Sequence, residues 1–209
     1  MKKIYFFFLV TALVVLSALG QNALAQVKTT YFFSSSSGTY SEITGTALGT
    51  ALDDDIFSAT PIGFSFSFNG TVYTSLSVSA NGWVAFGTGT PSSNYLPIST
   101  AGGDGTIAAM AGDLQGNPTT GVLSYTTLGS APNRIFVVQW KDWNKYQTIS
   151  NVGQSYNFQI RLYETTNKID IVYGTYTPTS SYTYEVGIRG NVQSSATYLL
   201  VPWDSDRKS

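Results

Sequence analysis

The stretch PIGFSFSFNGTVYTSLSVSANGWVAFG, residues 61–87, decides the fold class of this chain. Apolar residues alternate with serine along 64–68 and again along 76–80. Asn69-Gly70 separates these two stretches, and Asn81-Gly82 ends the second. Period-two alternation interrupted by Asn-Gly is the strongest short-range signal for a β-hairpin. The sequence therefore predicts three antiparallel strands with one apolar face.

Similar signals recur along the rest of the chain. In the stretch 155–164, apolar and aromatic side chains occupy one face, Tyr156, Phe158, Ile160 and Leu162, and Asn157, Gln159, Arg161 and Tyr163 the other. Further strands are predicted at 29–36, 106–114, 121–127, 134–140, 168–176, 184–189 and 198–201, with a long surface loop at 87–99. About ten to twelve short strands with regular turn signals predict an all-β, antiparallel two-sheet β-sandwich, jelly-roll-like, with one wet face on each sheet.

The N-terminus has the features of a secretory signal peptide. Lys2 and Lys3 precede an apolar stretch over 4–19, and Ala23-Leu24-Ala25 fits the small-residue cleavage rule. We expect cleavage after residue 25 and a single domain over 26–209 beginning at Gln26, with no membrane span after cleavage. The absence of cysteine in a secreted chain of this size favours a bacterial protein that is secreted, extracellular or located at the outer cell surface.

Composition excludes several classes of activity. The chain has no histidine and no cysteine, which excludes Ser-His-Asp and Cys-His catalysis and the usual zinc and copper sites. Only 11% of its residues are charged and the net charge is −1, so the clustered Lys and Arg that nucleic acid requires are missing. We expect no nucleic-acid partner. Carboxylate chemistry, aromatic stacking and oxygen-ligand metals remain.

Five stretches together resemble a β-sandwich module of secreted Bacteroidetes surface proteins and, more distantly, nidogen-type extracellular domains. They are IGFSFSFNGTVYTSLSVSANGWVAFG (62–87), TIAAMAGDLQG (106–116), GVLSYTTLGSAPNRIFVVQWKDW (121–143), YNFQIRLYETTNKIDIVYG (156–174) and YEVGIRG (184–190). The resemblance covers about residues 40–191 and implies an extracellular or surface-attached module without general catalytic residues. A C-terminal sorting domain frequently follows such modules, so we expect a short family member or a piece of a longer modular protein.

The stretch WKDWNKY, residues 140–146, is the first candidate binding site. Trp143 and Tyr146 are predicted to form a stacking platform for sugar rings, with Asp142 and Asn144 as hydrogen-bonding neighbours. In the alternative interpretation both tryptophans have a structural role: Trp140 belongs to the core and Trp143 caps the edge of the sandwich. On this alternative the stretch contributes packing and binds no ligand.

Asp53, Asp54 and Asp55 form the second candidate site, for a metal ion. Carboxylate oxygens are the ligands that Ca²⁺ prefers. Adjacent side chains point in different directions, however, so a solvated loop with local turn hydrogen bonds is the alternative. We expect no other cofactor.

These observations lead to one main functional hypothesis and two alternatives. The main one is a non-enzymatic module for adhesion, ligand binding or structural spacing, with a cell-surface protein or glycan as partner. The alternatives are a carbohydrate-binding module using exposed aromatic residues and a carboxylate-based glycoside hydrolase, which needs two facing carboxylates. We expect a monomer or one part of a larger modular protein.

Overall fold

The computed structural model describes residues 30–87, 95–100, 105–146, 154–177, 182–190 and 198–200. The predicted signal peptide, residues 1–25, lies outside the described residues. Twelve strands form within the described ranges: β1 (Thr46–Thr50), β2 (Ile56–Phe68), β3 (Thr71–Ser79), β4 (Trp83–Phe86), β5 (Thr106–Ala111), β6 (Leu114–Gly116), β7 (Val122–Leu128), β8 (Ile135–Lys145), β9 (Ser155–Tyr163), β10 (Ile169–Thr177), β11 (Glu185–Arg189) and β12 (Tyr198–Leu200).

The strands form two antiparallel six-stranded sheets. Sheet A has the order β1-β7-β8-β9-β10, with β6 also paired to β8, and sheet B has the order β12-β11-β5-β4-β3-β2. All strand pairs are antiparallel. The prediction of an all-β, two-sheet architecture with about ten to twelve strands is confirmed.

The predicted hairpins form as the sequence indicates. Asn69-Gly70 joins β2 to β3, and Asn81-Gly82 joins β3 to β4. Gly82 has a φ of +83°, and a Cβ at this position would collide with the carbonyl oxygen of Met110. The second turn therefore requires glycine both for its backbone conformation and for its close approach to β5.

The core lies between the inner faces of the two sheets. Its largest fully buried side chains include Trp140, Trp143, Tyr156, Phe66, Phe68, Phe136, Phe158 and Ile62. Trp140 stacks on Phe158 with ring centroids 5.0 Å apart, and its indole N–H donates to the carbonyl oxygen of Ser79 at 3.0 Å. The predicted inward set on β9 is fully buried or nearly so. The placement of Trp140 in the core is confirmed.

The outer face of sheet A is covered, contrary to the prediction of a wet face. The segment 39–45 crosses it, and the Gln139 amide oxygen accepts the Ile43 N–H at 2.9 Å. The Gln159 amide donates to the carbonyl oxygen of Ser41 and to Gln139, both at 2.8 Å. Both glutamines are buried, although the period-two pattern places Gln159 outward. Outward-facing polar residues here provide hydrogen-bond partners for a covering segment.

The outer face of sheet B is covered over β4, β5 and β11, whereas the outward residues 61, 63 and 65 of β2 are exposed, as predicted for a wet face. Ile98 packs there against Trp83 and neighbouring alanines and is fully buried, so the predicted surface loop at 87–99 is wrong at its C-terminal end. Glu185 accepts the backbone N–H groups of Ile98 at 2.8 Å and Ser99 at 3.2 Å. Arg189 donates to the carbonyl oxygens of Ile98 and Thr100. Two buried charges of opposite sign on β11 thus hold one segment.

Some strand boundaries also differ from the prediction. Residues 30–36 form no strand, although 29–36 were predicted as one, because they pair with no neighbouring strand and Phe32 is 93% exposed. The apolar stretch 106–114 divides into β5 and the start of β6. Among the residues with described positions, none belong to a helix that is both long and apolar enough to span a bilayer.

Replacing Trp140 with alanine is expected to lower the free energy of unfolding by about 3–5 kcal/mol, because the change leaves a cavity in a close-packed interior. Urea denaturation monitored by circular dichroism measures this. Val72→Ala is the control, since Val72 is 63% exposed and its truncation is expected to change stability by no more than about 0.5 kcal/mol. A loss below about 1 kcal/mol for Trp140→Ala would contradict its core role.

Candidate functional site

The structure corrects the predicted exposure of Trp143. Its side chain is completely buried and its indole N–H donates to the carbonyl oxygen of Ala80 at 2.9 Å. The cause is a bulge in β8: Trp140 pairs with Phe158 and Trp143 with Tyr156, so the β8 side has one extra residue. That extra residue turns Trp143 to the same inner face as Trp140. The ring cannot be a platform for sugars in this arrangement.

The other members of the WKDWNKY candidate separate from one another. Asp142 sits in the bulge with a φ of +54°, and its carboxylate accepts a hydrogen bond from the Thr120 hydroxyl. Asn144 is buried, whereas Tyr146 is half-buried and its N–H donates to the carbonyl oxygen of Asp113 at 2.9 Å. A ligand-binding role for Asp142, Asn144 and Tyr146 stays a prediction.

A group of carboxylates from two loops meets at one end of the sandwich. Asp53 and Asp54 lie in the β1–β2 loop and Asp113 in the turn between β5 and β6. We call these three residues the acidic end. The sequence pattern pointed to the aspartates at 53–55 but not to Asp113, whose position next to them follows only from the pairing of β6 with β8.

Asn81 positions the loops of the acidic end through hydrogen bonds. Its side-chain amide donates to Asp54 at 2.9 Å, and its amide oxygen accepts the N–H of Leu114 at 2.8 Å. Its own carbonyl oxygen accepts the N–H of Gly112 at 3.3 Å. Because Asn81 is fully buried, these bonds fix the two loops to the β3–β4 turn.

The carboxylates of the acidic end are electrostatically unfavourable to one another. Burial raises the pKa of Asp53 above its ordinary value, and the charges of Asp54 and Asp113 raise it further. Burial and the Asp54 charge likewise raise the pKa of Asp113, and Lys145 partly offsets this. One buried oxygen of each, Oδ1, has no hydrogen-bond partner among the described residues. Such groups normally have partners, so this end is an exception that points to a function.

Aromatic residues flank the acidic end. The Tyr95 hydroxyl donates to Asp54 at 3.3 Å, and the Tyr182 hydroxyl accepts the N–H of Asp113 at 3.3 Å. The Lys145 ammonium lies 4.5 Å from the centroid of the Tyr182 ring. The end thus combines negative charge, tyrosine hydroxyls and one cation held over a ring.

The geometry does not assemble the predicted metal site. Within the ranges that the structure describes, no group of three or more acidic, histidine or cysteine side chains converges in a way that could hold a metal ion. The N–H of Asp53 donates to the Asp55 carboxylate at 3.4 Å, which is the local turn bonding of the alternative interpretation. Calcium binding by Asp53, Asp54 and Asp55 stays a prediction.

A carboxylate-based glycoside hydrolase would draw on Glu42, Asp113, Asp142, Glu164, Asp170 or Glu185, and five of these six have structural partners among the described residues. Glu164 pairs with Arg134 at 2.5 Å, Glu42 with Lys141 at 2.6 Å and Asp170 with Lys168 at 2.9 Å. Glu185 holds the Ile98 backbone on sheet B. Asp142 accepts from Thr120, which leaves Asp113 as the one with an unpartnered buried oxygen.

Comparison with protein families identifies the class of this chain. The NIDO-related family matches residues 30–206, which is most of the chain, and the chain belongs to that family. Searches of curated proteins and of solved structures returned no match. The NIDO-related family is not an enzyme family, and together with the two-sheet fold it indicates an extracellular-type, non-enzymatic module.

Replacing Asp113 with asparagine is expected to stabilise the protein at neutral pH by up to about 1 kcal/mol, because one of the mutually repelling charges is removed. The pKa of Asp113 is higher in the folded than in the unfolded protein. Its contribution to the free energy of unfolding is therefore fully present below the ordinary pKa of 3.8 and is lost as the pH rises through the folded pKa. The difference between variant and wild type should therefore vanish at roughly pH 3, where residue 113 is neutral in both proteins.

Urea denaturation of both proteins at neutral and acidic pH measures this difference. Glu42→Gln is the control, because Glu42 forms an exposed ion pair with Lys141 away from the acidic end. A variant that is less stable than wild type at neutral pH would show that the carboxylates do not repel one another in the folded protein.

Proposed function

We propose that this protein is a secreted adhesion module that binds a cell-surface protein through the acidic end. The observation that carries the proposal is one buried oxygen on each of Asp53 and Asp113 that has no hydrogen-bond partner among the described residues. The fold holds their two loops together, because the Asn81 side chain bonds to Asp54 and to the backbone of Leu114. This arrangement is unfavourable for stability alone and favours a partner that brings donors and positive charge.

A protein partner with Lys or Arg at its surface has the complementary chemistry. A guanidinium or ammonium group would donate to the free oxygens of Asp53 and Asp113 and reduce their repulsion. Tyr95 and Tyr182 stand beside them, and tyrosine is among the residues that dominate the binding energy of protein interfaces. Calcium would satisfy the same oxygens, and chelation distinguishes the two.

The carbohydrate-binding alternative does not have its predicted platform, because Trp143 is buried. Adhesion also agrees with the extracellular-type family and with a location outside the cell. We propose that the module acts either as a monomer or as one part of a larger modular protein.

The test is binding of the fluorescently labelled chain 26–209 to intact cells of the producing organism, measured by flow cytometry. Asp53→Asn and Asp113→Asn are each expected to lower binding at least fivefold, roughly 1 kcal/mol, because each removes a charge that meets the partner. Glu42→Gln removes one charge elsewhere and should bind as wild type does.

Treatment of the cells separates the possible partners. Protease treatment before labelling should abolish the part of the binding that Asp53→Asn and Asp113→Asn lower, and periodate oxidation of glycans should leave that part unchanged. Loss of binding in EDTA with recovery in excess calcium would replace the proposal by a calcium site. Equal binding by wild type and both aspartate variants would refute the role of the acidic end.

A further inference from the structure

A groove of about 850 Å³ lies on another part of the sandwich. One wall is the edge strand β10 over residues 169–173, another is formed by 186–188 of β11, and the third is the segment 31–39. None of its lining residues belongs to the acidic end. Its volume is within the range of sites that bind small ligands.

The segment 31–39 is attached at both ends. At one end the Tyr31 hydroxyl accepts the N–H of Asn69 at 3.2 Å, and its ring packs on Phe68. At the other end the carbonyl oxygen of Thr39 accepts a bond from Arg161 at 3.3 Å. The middle of the segment lines the groove beside the edge strand β10 and does not extend sheet A. Because both ends of the segment are attached, the fold itself holds this wall of the groove in place.

Arg161 forms no ion pair among the described residues, although Asp170 lies opposite it across the β9–β10 pair and lines the same groove. Its Nε and Nη2 donate to the Gln159 amide oxygen at 2.9 and 2.7 Å, and Nη2 also donates to Thr39. These acceptors are all uncharged. The neighbouring cation, Lys168, is instead paired with Asp170 at 2.9 Å. A half-buried guanidinium bound only to neutral acceptors favours an anionic group in a ligand.

The remaining lining has the chemistry that recognises sugars. Hydroxyl groups come from the four serines of 34–37, and an aromatic ring comes from Phe33, which is 43% exposed. Tyr31 and Tyr173 also line the groove, but their rings pack against the core. The exposed ring of Phe32 stands at the rim. Aromatic faces pack on the apolar faces of sugar rings, and serine hydroxyls both donate to and accept from sugar hydroxyls.

We propose that this groove binds an acidic oligosaccharide, with Arg161 on its carboxylate and the aromatic rings against its sugar rings. This binding site is additional to the protein-binding role of the acidic end and does not depend on it. The carboxylates of an acidic peptide would also bind Arg161. Such a peptide has no sugar hydroxyls to bond to the serines and no sugar rings to pack on the aromatic faces.

Isothermal titration calorimetry of the chain 26–209 tests the proposal with three acidic probes: trigalacturonate, 3′-sialyllactose and a hyaluronan tetrasaccharide. At least one should bind, and its methyl ester, which has the same size without the charge, should bind at least tenfold more weakly. Binding of none of the three would overturn the proposal. Equal affinity for an acid and its methyl ester would also overturn it, and so would tighter binding of a tetraglutamate peptide than of any saccharide.

Variants assign the binding to the groove. Arg161→Gln should weaken the acidic probe at least tenfold, and Phe32→Ala should weaken it severalfold without changing the melting temperature, because Phe32 is 93% exposed. Asp113→Asn should leave saccharide binding unchanged, so failure of either proposed site is distinguishable from failure of the other. Wild-type affinity in both Arg161→Gln and Phe32→Ala would show that the saccharide binds elsewhere.

Discussion

The hydrogen bonds of the turn between β3 and β4 connect most of the structure. The carbonyl oxygens of Ser79 and Ala80 accept the indole N–H groups of Trp140 and Trp143. These bonds link sheet B to sheet A, since the tryptophans lie on β8. The Asn81 side chain binds two further loops. Because backbone groups buried here have no access to water, each needs one of these partners, and the turn can form only when both sheets are in place.

The parts of the fold that follow from local pattern are predictable from sequence. Alternation along 155–164 places Phe158 and Ile160 in the core, where both are fully buried. The Asn69-Gly70 turn is predictable because both of its residues have a positive φ, which suits Asn and Gly. In both cases the determining interactions lie within a few residues of each other, so the sequence pattern is sufficient.

What sequence could not predict depends on contacts between distant residues. One extra residue in β8 reverses the face of Trp143, and no local signal at Asp142 reveals it. Gln159 is an ordinary outward residue in the pattern and becomes buried because the segment 39–45 lies over it. Asp113 joins the acidic end only through the position of the β5–β6 turn. Two of the three residues of the acidic end, Asp53 and Asp54, were therefore visible in the sequence, and the third required the fold.

The two proposed sites have one physical feature in common. Each contains a charge that the fold holds in place and that the described residues do not fully compensate. Buried charges elsewhere are compensated, since Glu185 and Arg189 both hold backbone groups of one covering segment. At the acidic end the uncompensated groups are carboxylates, and in the groove the group is Arg161. Arg161 also anchors Thr39, so a ligand anion there would act on the same side chain that positions the groove wall.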